Sequence, residues 1–309
     1  MRYLPAIACA VAATACLSFN ARADLFVSAA GRNAVVQYTD DGTLVGDFVS
    51  PGSGGLGDPQ GITFGPDGNL YVASNASDNV LRFDGTTGDF IDVFASHPNF
   101  AWPAEINFRG DFLYVSDFKM GGRVARFNAT TGAYVDDFVT GINLPDGQSW
   151  DDQGRLYVSG FNTAGPGTGI VNRYDGNTGE LIDNFVTAGQ NNLGGALDNL
   201  FLADGRLLVS SFNTDDVKVF SSDGTSDSAF GNLPGPQGLK FGPDGNLYAG
   251  SFQQGFINRY DPATLQLIDQ FADIEGSTSN NFVFRAVPEP MFAGAAGLFG
   301  GLLLIRSRN

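Results

Sequence analysis

The stretch PQGITFGPDGNLYVASNASDNVLRFDGTTGDFIDVF, residues 59–94, decides the fold. Residues 62–64, 70–73, 80–83 and 90–94 alternate or run apolar, as short strands do. Gly-Pro-Asp-Gly, Asn-Ala-Ser-Asp-Asn and Asp-Gly-Thr-Thr-Gly separate them. Pro66 presets the first corner of a turn, Gly68 takes a positive φ after it, and Asp67 bonds its own backbone two residues on. The stretch predicts a four-stranded antiparallel meander.

Whole copies follow at residues 103–138, 145–185, 196–230 and 236–271, and residues 24–50 show only the last three strands. The second strand carries Phe26, Tyr71, Tyr114, Tyr157, Leu208 and Tyr248 at one position, spaced 45, 43, 43, 51 and 40 residues apart. The third carries Tyr38, Phe83, Phe127, Tyr174, Phe220 and Tyr260, and the fourth ends on Phe48, Phe94, Phe138, Phe185, Phe230 and Phe271. Four strands repeating at this period predict an all-β, six-bladed β-propeller, whose blades bury their faces only against neighbours. The first unit lacks its first strand, and the chain has one to spare. Residues 281–286 begin Asn-Phe-Val-Phe, like Gly-Ile-Thr-Phe at 61–64, and are expected to complete the N-terminal blade and close the ring.

The composition agrees: 42 glycines, 43% hydrophobic and 12% aromatic residues suit a turn-rich chain with a full core. The ends differ from the body. Arg2, an apolar run over 4–19 and Ala21-Arg22-Ala23 ahead of Asp24 predict a signal peptide over 1–23, cleaved between Ala23 and Asp24. Both cysteines, Cys9 and Cys16, lie inside it, so the exported protein has no thiol for a disulfide, a nucleophile or a zinc site. At the other end Val287, Pro288, Glu289 and Pro290 precede fifteen uncharged residues, then Arg306 and Arg308. A 15-residue apolar helix reaches about 22 Å against a hydrocarbon core of about 30 Å, so a transient membrane stop is expected. Pro-Glu-Pro, a short apolar segment and a basic terminus resemble the PEP-CTERM sorting signal. That resemblance implies a domain division of 1–23, 24–287 and 288–309, transient inner-membrane association, and tail removal by an exosortase-type protease in a Gram-negative bacterium.

The net charge of −16 repels nucleic-acid phosphates, and no Lys/Arg cluster offsets it, so nucleic acid is not an expected partner. His97 is the only histidine, which excludes His-rich metal sites and leaves a Ser-His-Asp triad resting on one loop residue. Chemistry is instead expected where the first strands open onto the central channel. Their opening residues are Gln60, Ala104, Asp146, Leu197, Gln237 and Asn280, followed by Gly61, Glu105, Gly147, Asp198, Gly238 and Asn281. Glu105, Asp146, Asp198 and Asn281 are thus four oxygen-bearing candidates for Ca²⁺ or another divalent cation. Strict alternation predicts that the two positions face opposite ways. Phe100, Trp102, Phe118, Phe161, Phe212 and Phe252 fall on connections at the same end, with 159–169 the longest of these.

Pro145-Asp146-Gly147, with Asp152, Gly154 and 156–158 after it, resembles the NHL and gluconolactonase/regucalcin-type six-bladed propellers. The resemblance covers 24 to about 287 and implies Asp146 as metal ligand and catalytic general base. The family's other ligands are missing from their places: Glu105 is followed by Ile106 rather than Gly-Pro, and the Asn-Gly turn is replaced by Gln60-Gly61 or Gln237-Gly238. The expected function is therefore an exported binding or scaffold module, its partner a polysaccharide or surface protein. The alternative is a divalent-metal-dependent lactonase or related hydrolase.

Overall fold

The computed structural model describes residues 23–161, 168–274 and 277–286. The leader, the Pro-Glu-Pro tail with its expected apolar helix, and the middle of the 159–169 connection lie outside the described residues. Six four-stranded antiparallel sheets form the molecule. The first comprises β1 (Ala23–Ala29), β2 (Ala34–Tyr38) and β3 (Leu44–Val49), and the second β4 (Pro59–Phe64), β5 (Leu70–Ser74), β6 (Asn79–Phe83) and β7 (Phe90–Ser96). The third holds β8 (Pro103–Arg109), β9 (Phe112–Asp117), β10 (Gly122–Asn128) and β11 (Tyr134–Ile142). The fourth holds β12 (Gln148–Trp150), β13 (Leu156–Phe161), β14 (Gly169–Tyr174) and β15 (Leu181–Val186). The fifth comprises β16 (Ala196–Phe201), β17 (Leu207–Ser211), β18 (Asp216–Phe220) and β19 (Ser226–Phe230). The last comprises β20 (Pro236–Phe241), β21 (Leu247–Ser251), β22 (Phe256–Tyr260) and β23 (Leu267–Asp273). The spare strand β24 (Ser279–Ala286) pairs antiparallel with β1, placing Leu25 opposite Phe284 and Val27 opposite Phe282. The first blade therefore reads β24-β1-β2-β3, and the ring closes as the repeat predicts. Among the described residues no helix is long and apolar enough to cross a membrane.

The repeated aromatics fill the wedges between blades. Tyr71 meets its own blade's Phe94 and the next blade's Phe108 edge-on, each with ring centroids 4.8 Å apart. Tyr157 repeats the arrangement with Phe185 and Phe201. So does Tyr248, with Phe271 and Phe284. Burying such a ring stabilises by about 1.5–3 kcal/mol, and edge-on packing adds about 0.5–1.5 kcal/mol. The arginine before the third-strand aromatic closes the wedge at the surface. Arg82, Arg126, Arg173 and Arg259 each pair with an aspartate on the fourth strand: Asp92, Asp136, Asp183 and Asp269.

Neighbouring blades also abut through backbone. A Cβ built on Gly132, at φ +69°, would lie 1.8 Å from the Phe94 carbonyl oxygen of the preceding blade. Gly42, Gly88, Gly179 and Gly224 meet Phe271, Phe48, Phe138 and Phe185 in the same way. The sixth blade has Leu265 at this turn position, held at φ 58°. Gly68 offers a control, being left-handed at φ +79° but with nothing within 4 Å of the place a Cβ would take. Gly68→Ala should cost about 1 kcal/mol, the backbone term alone. Gly132→Ala should cost about 3 kcal/mol or more, because the blades must part. Urea unfolding of the two variants measures the difference, and equal losses would remove the backbone contact from the account.

Candidate functional site

Every inner strand breaks register at its opening. Between Pro59 and Ile62 three residue steps oppose the two from Ser74 to Val72, and the same slip recurs at Pro103/Ile106, Ala196/Asn199 and Pro236/Leu239. β24 slips likewise at Asn280-Asn281 against β1. In the fourth blade Asp146 N donates to Ser159 O while Ser159 N donates to Gly147 O, so both residues stand before β12 proper. A bulge of this kind re-aims a side chain. Alternation therefore does not hold here: Gln60, Ala104, Asp146, Leu197 and Gln237 line the mouth cavity, while Glu105, Asp198 and Asn281 beside them meet within the channel.

The second bulge position alternates around the ring: Gly61, Glu105, Gly147, Asp198, Gly238, Asn281. The glycines have no room for more. A Cβ on Gly61 would stand 2.4 Å from Ala104 O, and one on Gly147 2.6 Å from the Asp198 Cα. The three side chains between them fill one layer across the axis. Asn281 Nδ2 donates to Glu105 Oε2, and Asn281 Oδ1 accepts from Phe282 N at 2.8 Å. Asp198 Oδ1 accepts from Asn199 N, and Asp198 Oδ2 accepts from Leu239 N, each at 2.8 Å.

A residue that the sequence reading passed over completes the layer. Lys240 Nζ lies 3.2 Å from Glu105 Oε1 and 3.4 Å from Asp198 Oδ2, reaching across the axis from the sixth blade. It is one of three lysines in the chain. Its place, two residues after the second bulge position, holds Thr63, Asn107, Ser149, Leu200 and Val283 in the other blades. That departure was the available signal. The two carboxylates hold the ammonium well above the usual lysine range. Glu105, 2% exposed, is pushed up to about 7, chiefly by burial and then by Asp198, against the pull of Lys240.

Of the four residues expected to hold a divalent cation, three are already engaged with one another or with Lys240. Glu105 and Asp198 share the Lys240 ammonium, and Asn281 is spent on Glu105 and its own backbone. Among the described residues no group of three or more His, Cys, Asp or Glu has metal-holding geometry. The oxygen donors are brought together, but a lysine supplies the cation. A resident metal does not fit this donor set.

Asp146 stands apart. It is 8% exposed, and no described group donates a hydrogen bond to its carboxyl. Its backbone is fixed by Ser116 Oγ, which donates to Asp146 O at 2.6 Å, while the side chain lines a cavity of about 540 Å³ at the channel mouth. Burial, with Glu105 and Asp198 nearby, pushes this carboxyl well above the usual aspartate range. Five of the six aromatics expected on this face rim the cavity: Trp102, Phe118, Phe161, Phe212 and Phe252. The sixth, Phe100, is buried between the second and third blades. Amides line the mouth as well. Gln237 Nε2 donates to Gln60 Oε1 at 3.2 Å, and Gln60 Nε2 donates to Asp58 Oδ1 at 3.1 Å.

Trp102 is held in a strained conformation, with φ at 66° and 54% of its surface exposed. Its N–H donates to Asp78 Oδ1 at 3.0 Å, and its carbonyl accepts from Phe118 N at 3.0 Å. A bulky residue in the left-handed region costs roughly 1–3 kcal/mol and is kept where the surroundings force it. His97 is not part of the site. Its Nδ1 accepts from Asn99 N at 3.2 Å, and its ring lies 4.5 Å from that of Tyr134. A larger hollow of about 820 Å³ opens at the opposite end, but Asp151 and Asp204 in its lining are already paired with Arg155 and Arg206.

No family model and no curated protein sequence matches the chain. Solved structures match its fold. A chain of the nidogen/laminin complex superposes with a TM-score of 0.69 at 15% identity, covering 86% of this chain and 98% of that one. A gluconolactonase from Xanthomonas campestris superposes with a TM-score of 0.60 at 17% identity, covering 74% and 79%. At these identities the likeness is one of fold.

Two outcomes follow from the channel layer. Lys240→Met should cost about 3–5 kcal/mol at neutral pH, because it leaves two buried carboxylates without a cation. Since the folded Glu105 titrates at about 7 and the free side chain at 4.5, its contribution to stability is complete below 4.5 and is lost as pH rises through about 7. Urea unfolding across that range should show stability falling with pH, and Glu105→Gln should flatten the fall. An unchanged slope in the variant would exclude Glu105 as its source.

Proposed function

We propose that this protein is an exported binding module of the cell surface or extracellular polysaccharide matrix, with its ligand seated in the aromatic cavity at the channel mouth. The observation that carries the reading is the pairing of that cavity with a channel layer closed on itself. A concave site rimmed by aromatics, with a few convergent polar groups, is built for recognition on a rigid scaffold. Strain at Trp102 supports it, because a half-exposed indole is held at positive φ on the rim of the cavity. The leader at 1–23 and the tail at 288–309 supply the address: export, transient inner-membrane association and processing by an exosortase-type protease.

A second reading, a divalent-metal-dependent lactonase or related hydrolase with Asp146 as base, is favoured by the unpartnered Asp146 carboxyl alone. It is weakened by the hydrogen bonds that already occupy Glu105, Asp198 and Asn281. Retention of the exported protein on extracellular polysaccharide, against a calcium titration by calorimetry, separates the two. Binding to the polysaccharide with no calcium heat is expected. Calcium binding that vanishes in Asp146→Ala would favour the hydrolase instead. Trp102→Gly should abolish polysaccharide retention while leaving the unfolding midpoint equal or higher, since glycine relieves the left-handed strain. A variant that binds normally would move the site elsewhere. Deleting 288–309 should change where the protein accumulates, and an unchanged distribution in cell fractions would count against a sorting role.

A further inference from the structure

The lining of the mouth cavity is one-sided in charge. It contains Asp58 and Asp146, and among the described residues no lysine, arginine or histidine. Beneath it the channel adds Glu105 and Asp198 against the single Lys240. The Asp146 carboxyl is buried, lines the cavity and receives no hydrogen bond from the described protein groups, so none of the described residues supplies its complement. Over it stand one indole and four phenyl rings, none bearing a hydroxyl. Aromatic faces attract cations through the ring quadrupole, and they also stack on the apolar faces of sugar rings. The amides of Asn75, Asn213, Gln60 and Gln237 in the lining both donate and accept, as a polyhydroxylated ligand requires. A small hard cation fits poorly, because it asks for six to eight oxygens and the wall offers mostly carbon.

Resting on the binding-module reading, we propose that the cavity recognises a saccharide unit bearing a free ammonium group, with the ammonium on Asp146 and the ring against the aromatic arc. This specifies the ligand class as an amino sugar rather than a neutral or anionic one. The negative field of the whole chain concentrates such a group at the mouth.

Methyl glycosides of glucosamine, N-acetylglucosamine and glucose share one ring and differ in charge at a single position, which makes them the probes. Their dissociation constants for the exported protein are measured by calorimetry or ligand-observed NMR at pH 6.5, where the amine is charged. Glucosamine should bind at least ~10-fold more tightly than either neutral sugar, the scale of one charge-assisted hydrogen bond. Asp146→Asn should erase that preference, and Trp102→Gly should weaken all three. Equal affinity for the three sugars, or a preference that survives in Asp146→Asn, overturns the ammonium assignment while the binding-module reading stands. If none of the sugars binds, and retention on extracellular polysaccharide is also absent, both fall. The comparison of the three sugars on the unaltered protein decides the proposal even if Asp146→Asn fails to fold.

Discussion

Six strands meeting around one axis leave little room at their tips, and that crowding governs the inside of the molecule. Gly61 and Gly147 yield their side chains so that the backbones of adjacent blades can close in, and Gly238 gives room to the Asn281 and Phe282 side chains. Glu105, Asp198 and Asn281 occupy the space so released, one from every second blade. Once three polar side chains fill a buried layer, the charge of the two carboxylates must be answered there. Lys240 answers it. The channel is thus shut by an ionic layer rather than an apolar one, which makes it costly to disturb and sensitive to pH.

Above that layer the same bulges turn the preceding residues upward into the mouth cavity. One register slip per blade therefore produces two functions from adjacent residues: the second position seals the axis, and the first lines a recess. Asp146 belongs to the recess although it neighbours the seal. This explains why none of the described residues donates to it while Glu105 and Asp198 gather several donors.

The architecture was legible from the sequence because period, turn residues and wedge aromatics each recur six times, and because a missing strand at one end matched a spare strand at the other. The residues of the site were legible as a set but not in their roles. Alternation predicts that the position of Asp146 and the position of Glu105 and Asp198 face opposite ways, and a bulge carries no composition of its own to warn against that. Lys240 was hidden for a related reason: it acts from a different layer and across the axis, so no spacing along the chain links it to Glu105, 135 residues away. Phe100 was grouped with the rim aromatics on loop position alone. The packing between blades, which no single repeat reveals, draws it inward.

The closure of the first blade by β24 also sets an order of events. A chain delivered from its N-terminus presents β1, β2 and β3 early, yet β1 keeps a bare edge until the last strand of the ring arrives. Shortened products would retain that edge and the exposed hydrogen-bonding groups along it. The latch is therefore also a test of completeness: only a chain that reaches β24 covers the β1 edge, and one that stops earlier leaves it open to pairing with another strand.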